Sequence, residues 1–114
     1  RQSSAASDVY KRQIFNKELN KITKKDLKML SANDLFEYLI NIKGIGPWSI
    51  EMSRIFYLGD PDVFSYLDLG LKNAHNKMFL SNKYSEKFYE SFSPFRSYMC
   101  LYMWRVLEEE NVAI

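Results

Sequence analysis

Two stretches of this chain carry residues that could do chemistry together. Residues Ile42 to Trp48 read Ile-Lys-Gly-Ile-Gly-Pro-Trp, and Asp68 follows twenty residues after Trp48 within Phe-Ser-Tyr-Leu-Asp-Leu-Gly-Leu-Lys. A Gly-x-Gly turn between two apolar helical stretches lets backbone amides approach an anion such as a phosphate oxygen. A carboxylate held at the start of a helix tends to stay ionised. An ionised carboxylate can balance the positive charge that builds on a sugar ring as a glycosidic bond breaks.

The turn needs a helix on each side. Asn33 to Ile42 places Leu35, Tyr38, Leu39 and Ile42 at the i, i+3, i+4, i+7 spacing of one helix face. Ser31 followed by Asp34 offers a capping start. Gly44 and Gly46 stop that helix, since glycine accepts backbone that a Cβ would block. Pro47 suits the first turn of the next helix, and Trp48, Met52, Ile55 and Phe56 repeat at helical spacing. The unit reads helix, hairpin, helix. Its amides at Gly44, Ile45 and Gly46, with Lys43 beside them, are candidates to hold a phosphate. They would do so directly or through a monovalent cation at the carbonyls of Ile42 and Gly44. The plain alternative is a helix-to-helix connection, because a lone Gly-x-Gly is weak evidence.

Asp68 also has a plain alternative. Val63 to Leu67 reads as an extended approach and Leu69 to Phe79 as a helix, so Asp68 stands at an N-cap, where aspartate is favoured for capping alone. Capping and catalysis are compatible. Trp48 and Trp104 sit at helical spacing among apolar residues, the ordinary signature of core packing.

The stretch IKGIGPWSIEMSRIFYLGDPDVFSYLDLGLK, Ile42 to Lys72, resembles the helix-hairpin-helix DNA glycosylases, and among them the bacterial 3-methyladenine DNA glycosylase II type. The likeness continues through Ser93-Pro94-Phe95-Arg96-Ser97-Tyr98 to Trp104 and covers most of Asp26 to Leu107. The resemblance implies an all-α helical bundle with the glycosylase fold, present here in part. It implies a monofunctional enzyme of base excision repair that flips alkylated purines such as 3-methyladenine out of duplex DNA and hydrolyses the N-glycosidic bond. Asp68 falls on the family's catalytic aspartate, and Trp48 and Trp104 fall on aromatic positions of its base pocket. Met52 and Leu69 rank below them as pocket residues. Lys43 and Arg96 are candidates for phosphate contact, with a solvated role equally open. Many relatives carry a second Asp or another small polar residue where this chain has Leu67. Relatives that also nick DNA carry a lysine at the position of Trp48, so base release by water is expected. The implied partner is double-stranded DNA with alkylated bases. No cofactor, no catalytic metal, no membrane contact and a monomer are expected. The rival reading is a non-catalytic helix-hairpin-helix module that grips DNA, and Asp68 separates the two, since pure binding has no use for it.

Residues Ser3 to Gln13, SSAASDVYKRQ, resemble codon for codon the translation of a transposon-type sequencing adapter. Residues 1–13 are therefore expected to be a disordered artefact, and 14–114 one glycosylase domain whose natural N-terminal part is missing. The charge reading changes with this. The chain has 16 basic and 14 acidic residues; without Arg1, Lys11, Arg12 and Asp8, 13 of each remain. DNA affinity must then come from local geometry rather than overall charge.

The single cysteine, Cys100, excludes an internal disulfide and a four-cysteine cluster, and its apolar helix suggests burial. His75 stands alone, without metal-ligand partners, and reads as structural or exposed. With no secretion signal and no apolar run of spanning length, an intracellular setting is expected: cytoplasm or nucleoid, or the nucleus in a eukaryote. The other elements read as short helices over Ile14–Asn20, from a Thr23/Asp26 cap to Leu30, and over Ser85–Phe92. A last helix is capped by Ser93, with Pro94 first and Cys100, Met103, Trp104 and Leu107 on one face.

Overall fold

Helices account for all the regular structure in the computed structural model, which describes residues 5–17 and 19–112; no strand occurs among them. In chain order these are α1 (Ala5–Asn16), α2 (Lys24–Lys28), α3 (Ala32–Ile40), α4 (Pro47–Met52), α5 (Leu69–Met78), α6 (Glu86–Glu90) and α7 (Arg96–Val112). The all-α expectation holds. No helix among the described residues is long and apolar enough to cross a membrane.

The described residues fall into two compact units that divide after Ile50. In the first, caps explain the helix starts. Thr23 and Asp26 make a reciprocal capping box: the Asp26 amide donates to Thr23 Oγ1 and the Thr23 amide to Asp26 Oδ2, both at 3.1 Å. The Asp34 amide donates to Ser31 Oγ at 3.1 Å and starts α3. Asp26 also accepts from Lys17 Nζ at 2.6 Å and Tyr10 OH at 3.2 Å, and the Lys17 ammonium holds its carboxyl far below the usual range.

The disorder expected for residues 1–13 does not describe residues 5–13, which are helical within α1; residues 1–4 lie outside the described residues. The physical reasons are local propensity and contacts. Ala5 and Ala6 favour helix, Ile14 is fully buried, and Lys11 Nζ lies 3.2 Å from Asp34 Oδ1. Phe15 and Tyr38 meet with ring centroids 5.3 Å apart.

The second unit has its own core of Ile55, Val63, Phe64, Leu71, Ala74, Tyr89, Cys100 and Met103, with α5 and α7 packed together. Trp104 and Leu107 pack against it from the face of α7 that the spacing predicts. Phe64 and Tyr89 stack with centroids 3.8 Å apart. His75 is structural and fully buried: Nδ1 meets Tyr89 OH and Nε2 meets the Asn82 carbonyl, each at 2.7 Å.

The last helix starts later than expected. Ser93 does not cap it; its hydroxyl donates to Asp62 Oδ2 at 2.6 Å, and α7 begins at Arg96. Asp62 supplies the missing acceptor from a distant turn. Its Oδ1 takes the Arg96 amide at 3.2 Å and Arg96 Nε at 2.7 Å. Arg96 is thus paired with Asp62 and explains local structure.

Candidate functional site

The first candidate feature is the hairpin. Gly44 takes a positive φ of +91°, a conformation that a side chain would strain, so glycine is required there by the turn. The Ile45 amide donates to the Ile42 carbonyl at 3.1 Å, and the Gly46 carbonyl accepts the Ile50 amide at 3.1 Å. Gly46 is therefore the N-cap of α4, with Pro47 at its first position, as the sequence suggests. Gly46 has no positive φ, and a Cβ built on it would meet nothing within 4 Å. A side chain at Gly46 would therefore project into open space at the turn. Lys43 is exposed, Ile45 half-buried. Trp48 belongs to this first unit and is 47 % exposed, so it is not a core residue. One lone pair of the Ile42 carbonyl is used by the turn, which leaves one for the suggested cation. No cluster of three or more metal-ligating side chains occurs among the described residues.

The second feature is Asp68. Leu58 to Asp68 has no regular structure, yet Val63, Phe64 and Ser65 within it are buried. Bonds from α7 hold it. Ser97 Oγ accepts the Val63 amide at 2.8 Å and donates to the Asp60 carbonyl at 2.6 Å. The Asp68 amide closes a turn on the Ser65 carbonyl at 3.1 Å. Asp68 then caps α5: its Oδ2 accepts the Leu71 amide at 3.0 Å. The same oxygen accepts Trp104 Nε1–H at 2.8 Å. Two donors from different elements fix the plane of this carboxyl.

Gly70, which sequence reading passed over, is part of this arrangement. A Cβ there would lie 3.0 Å from Asp68 Oδ2 and 3.5 Å from the Trp104 indole. The signal was available, since a glycine in the first turn of a helix is a poor helix former and asks for a reason.

Helical spacing alone makes Phe56 an ordinary apolar position. It is 63 % exposed and stacks on Trp104, with centroids 5.7 Å apart and planes 27° from parallel. A π-helical turn over Ser53–Tyr57, in which the Leu58 amide reaches back to the Ser53 carbonyl at 2.9 Å, carries it there. Such turns shift helix phase and occur often at functional sites. A cleft of about 670 Å³ is lined by Phe56, Leu101, Tyr102, Trp104 and Arg105 together with Glu108 and Glu109. Met52 and Leu69, the lower-ranked pocket candidates, do not line it. Met52 packs against the core, and Leu69 is exposed beside Asp68. Leu67 is exposed too, so the departure from the family pattern changes the surface next to Asp68 and leaves its anchoring intact.

Trp104 thus has its edge on Asp68 and a face toward Phe56. Cys100, one turn earlier, is buried, and burial pushes its thiol up to about 11, which makes it inert packing. The arrangement as a whole can present one oriented carboxylate beside an aromatic surface.

The chain is 36 % identical over 88 residues to DNA-3-methyladenine glycosylase 1 of Schizosaccharomyces pombe, covering 73 % of this chain and 39 % of that protein. It is 35 % identical over 89 residues to the alkylbase DNA glycosidase-like protein mag2 of the same yeast, covering 74 % and 42 %. Against the DNA-3-methyladenine glycosylase of Saccharomyces cerevisiae it is 32 % identical over 114 residues, covering 71 % and 38 %. The chain spans less than half the length of these curated relatives. No protein-family model matches it, and no solved structure matches it significantly.

Proposed function

We propose that this chain, which is similar to DNA-3-methyladenine glycosylases, carries the base-excising carboxylate of a DNA repair glycosylase acting on alkylated bases. One observation supports this above the others: Asp68 is oriented by both the Leu71 amide and the Trp104 indole N–H, with bare Gly70 beside it. An N-cap needs only the first of these bonds.

The chemistry follows from the substrate. An alkylated purine carries positive charge and leaves as a neutral base, so the leaving group needs no proton. What remains is cationic character on the sugar. Asp68 stabilises that charge electrostatically and orients the attacking water. One carboxylate suffices for this. The Phe56–Trp104 stack offers an aromatic surface to an electron-poor base, worth about 0.5–2 kcal/mol as a cation–π contact. Trp48 is a second candidate for the flipped base. The hairpin at Gly44–Gly46 grips the DNA backbone without reading sequence, with Lys43 at hand. Double-stranded DNA is the partner, approached as a monomer.

Asp68→Asn in the intact protein tests the reading. Base release from methylated duplex is expected to fall by roughly 10²–10³, the effect of losing one preorganised electrostatic group. Affinity for an abasic-site analogue falls far less. A variant that releases bases at nearly the parent rate would leave Asp68 as a simple helix cap.

A further inference from the structure

We propose that Glu51 is a positioning residue for Asp68, acting through the Ser65 hydroxyl on the turn that presents the carboxylate. The inference rests on the reading of Asp68 as the catalytic group.

Glu51 lies in the last turn of α4 and is half-buried. Its Oε1 accepts the Ser65 hydroxyl at 2.7 Å. Ser65 is completely buried, and its carbonyl receives the Asp68 amide at 3.1 Å. The path from Glu51 to the Asp68 backbone is thus one side-chain bond, one residue and one turn bond. Sequestering a carboxyl costs stability unless a donor offsets it. Burial raises the Glu51 carboxyl above its ordinary value, the Asp68 charge raises it further, and Arg54 and the Ser65 bond oppose this. Arg54 itself is held by Asp60, with Nη2 2.8 Å from Oδ2. The Ser65 hydroxyl bond is the contact that ties the Glu51 carboxyl to the turn.

A second side chain reaches the same turn, since Tyr84 OH donates to the Tyr66 carbonyl at 3.3 Å. Trp104 and Leu71 fix where the carboxyl points. They do not fix where the Ser65–Asp68 turn sits. Glu51 holds it at the Ser65 end. A turn released from it would carry the carboxylate with it, and small displacements of a reacting group are costly in rate.

The test is single-turnover base release from methylated duplex by Ser65→Ala, Glu51→Ala, their double variant and Glu51→Gln in the intact protein. Ser65→Ala and Glu51→Ala are each expected to slow release roughly 10- to 100-fold, the scale of a misplaced catalytic group. Affinity for an abasic-analogue duplex should stay unchanged in both. The double variant should be no slower than the slower single one, because both break the same link. Glu51→Gln, which still offers Ser65 an acceptor in the same place, should retain most of the rate. Should Glu51→Ala fail to fold, Ser65→Ala and Glu51→Gln carry the same comparison. Parent-like release by Ser65→Ala, or losses that multiply in the double variant, would overturn the proposal. Asp68→Asn run alongside separates the two readings. If it is inactive while Ser65→Ala matches the parent, only the role of Glu51 fails. If Asp68→Asn is active, the catalytic reading fails as well.

Discussion

Gly70→Ala puts the site under a load that can be worked out in advance. A Cβ at this position lies 3.0 Å from Asp68 Oδ2, about 0.4 Å inside an ordinary 3.4 Å contact. The oxygen cannot slide away freely, because it is pinned by the Leu71 amide at 3.0 Å and the Trp104 indole at 2.8 Å. Two terms oppose each other in stability. Alanine is better than glycine inside a helix by about 0.8–1 kcal/mol. Stretching two hydrogen bonds to a charged acceptor removes part of about 1.5–3 kcal/mol each. The net change should lie within about 1 kcal/mol of zero. The rate has no such compensation. If a 1 Å misplacement costs about 10²-fold, then 0.4 Å costs about sixfold on a logarithmic scale. The assay is base release from methylated duplex with enzyme in excess, beside a denaturant melt. Asn73→Ala, an exposed substitution on the same helix, is the control and should leave the rate alone. If Gly70→Ala gained the full helical stabilisation and kept the parent rate, the tight contact with Asp68 would have no catalytic meaning.

Three other outcomes are expected. Gly46→Asp should weaken binding to every duplex alike at moderate salt while leaving the melting temperature unchanged, since a Cβ there meets nothing inside the protein; unaltered binding in a gel-shift titration would remove the phosphate-clamp assignment. The Asp62 carboxyl is held well below its ordinary value of 3.8, chiefly by Arg96. A depressed folded-state pKa gives stability that is present above 3.8 and is lost as pH falls further, so Asp62→Asn should flatten the loss of stability measured by urea melts below pH 4; an unchanged acid slope would assign that loss to other carboxyls. Borohydride added during turnover should trap no protein–DNA adduct if the resemblance is right in putting Trp48 where strand-nicking relatives carry a lysine; an adduct mapped to any lysine of this chain would replace water with an amine as the nucleophile.

The legible part of this chain was the part written in local rules. Thr23 with Asp26, Ser31 ahead of Asp34, and Asp68 before Leu69 are caps, and each start is where its cap places it. The face of Cys100, Met103, Trp104 and Leu107 follows from period alone. The misreadings were non-local. Ser93 and Pro94 look like a helix start, but Asp62, 34 residues before Arg96, takes the Arg96 amide and moves the start. Residues 5–13 look like a tail, yet Tyr10 and Lys11 find Asp26 and Asp34. A π-helical turn has no sequence signature, so the Phe56 stack on Trp104 could not be read from helical spacing.

The same distinction explains how a loop without strands can hold a carboxylate in place. Arg96, Ser97, Cys100 and Trp104 follow one another along α7 at i, i+1, i+4 and i+8, nearly one stripe of a helix. Each reaches the segment before α5 in order. Arg96 takes Asp62, Ser97 takes Asp60 and Val63, Cys100 Sγ lies 3.5 Å from the Val63 carbonyl, and Trp104 takes Asp68. A strand would have fixed its backbone through a ladder of neighbours. Here a helix serves as the ruler, and side-chain donors and acceptors replace the ladder. The consequence is that Asp68 depends on the register of α7 as well as on its own sequence surroundings. Only Trp104 among the four touches the carboxylate, but a slip of the helix would move all four contacts together. Trp104, the residue proposed to offer its face to the base, is therefore also the last rung that sets the carboxylate.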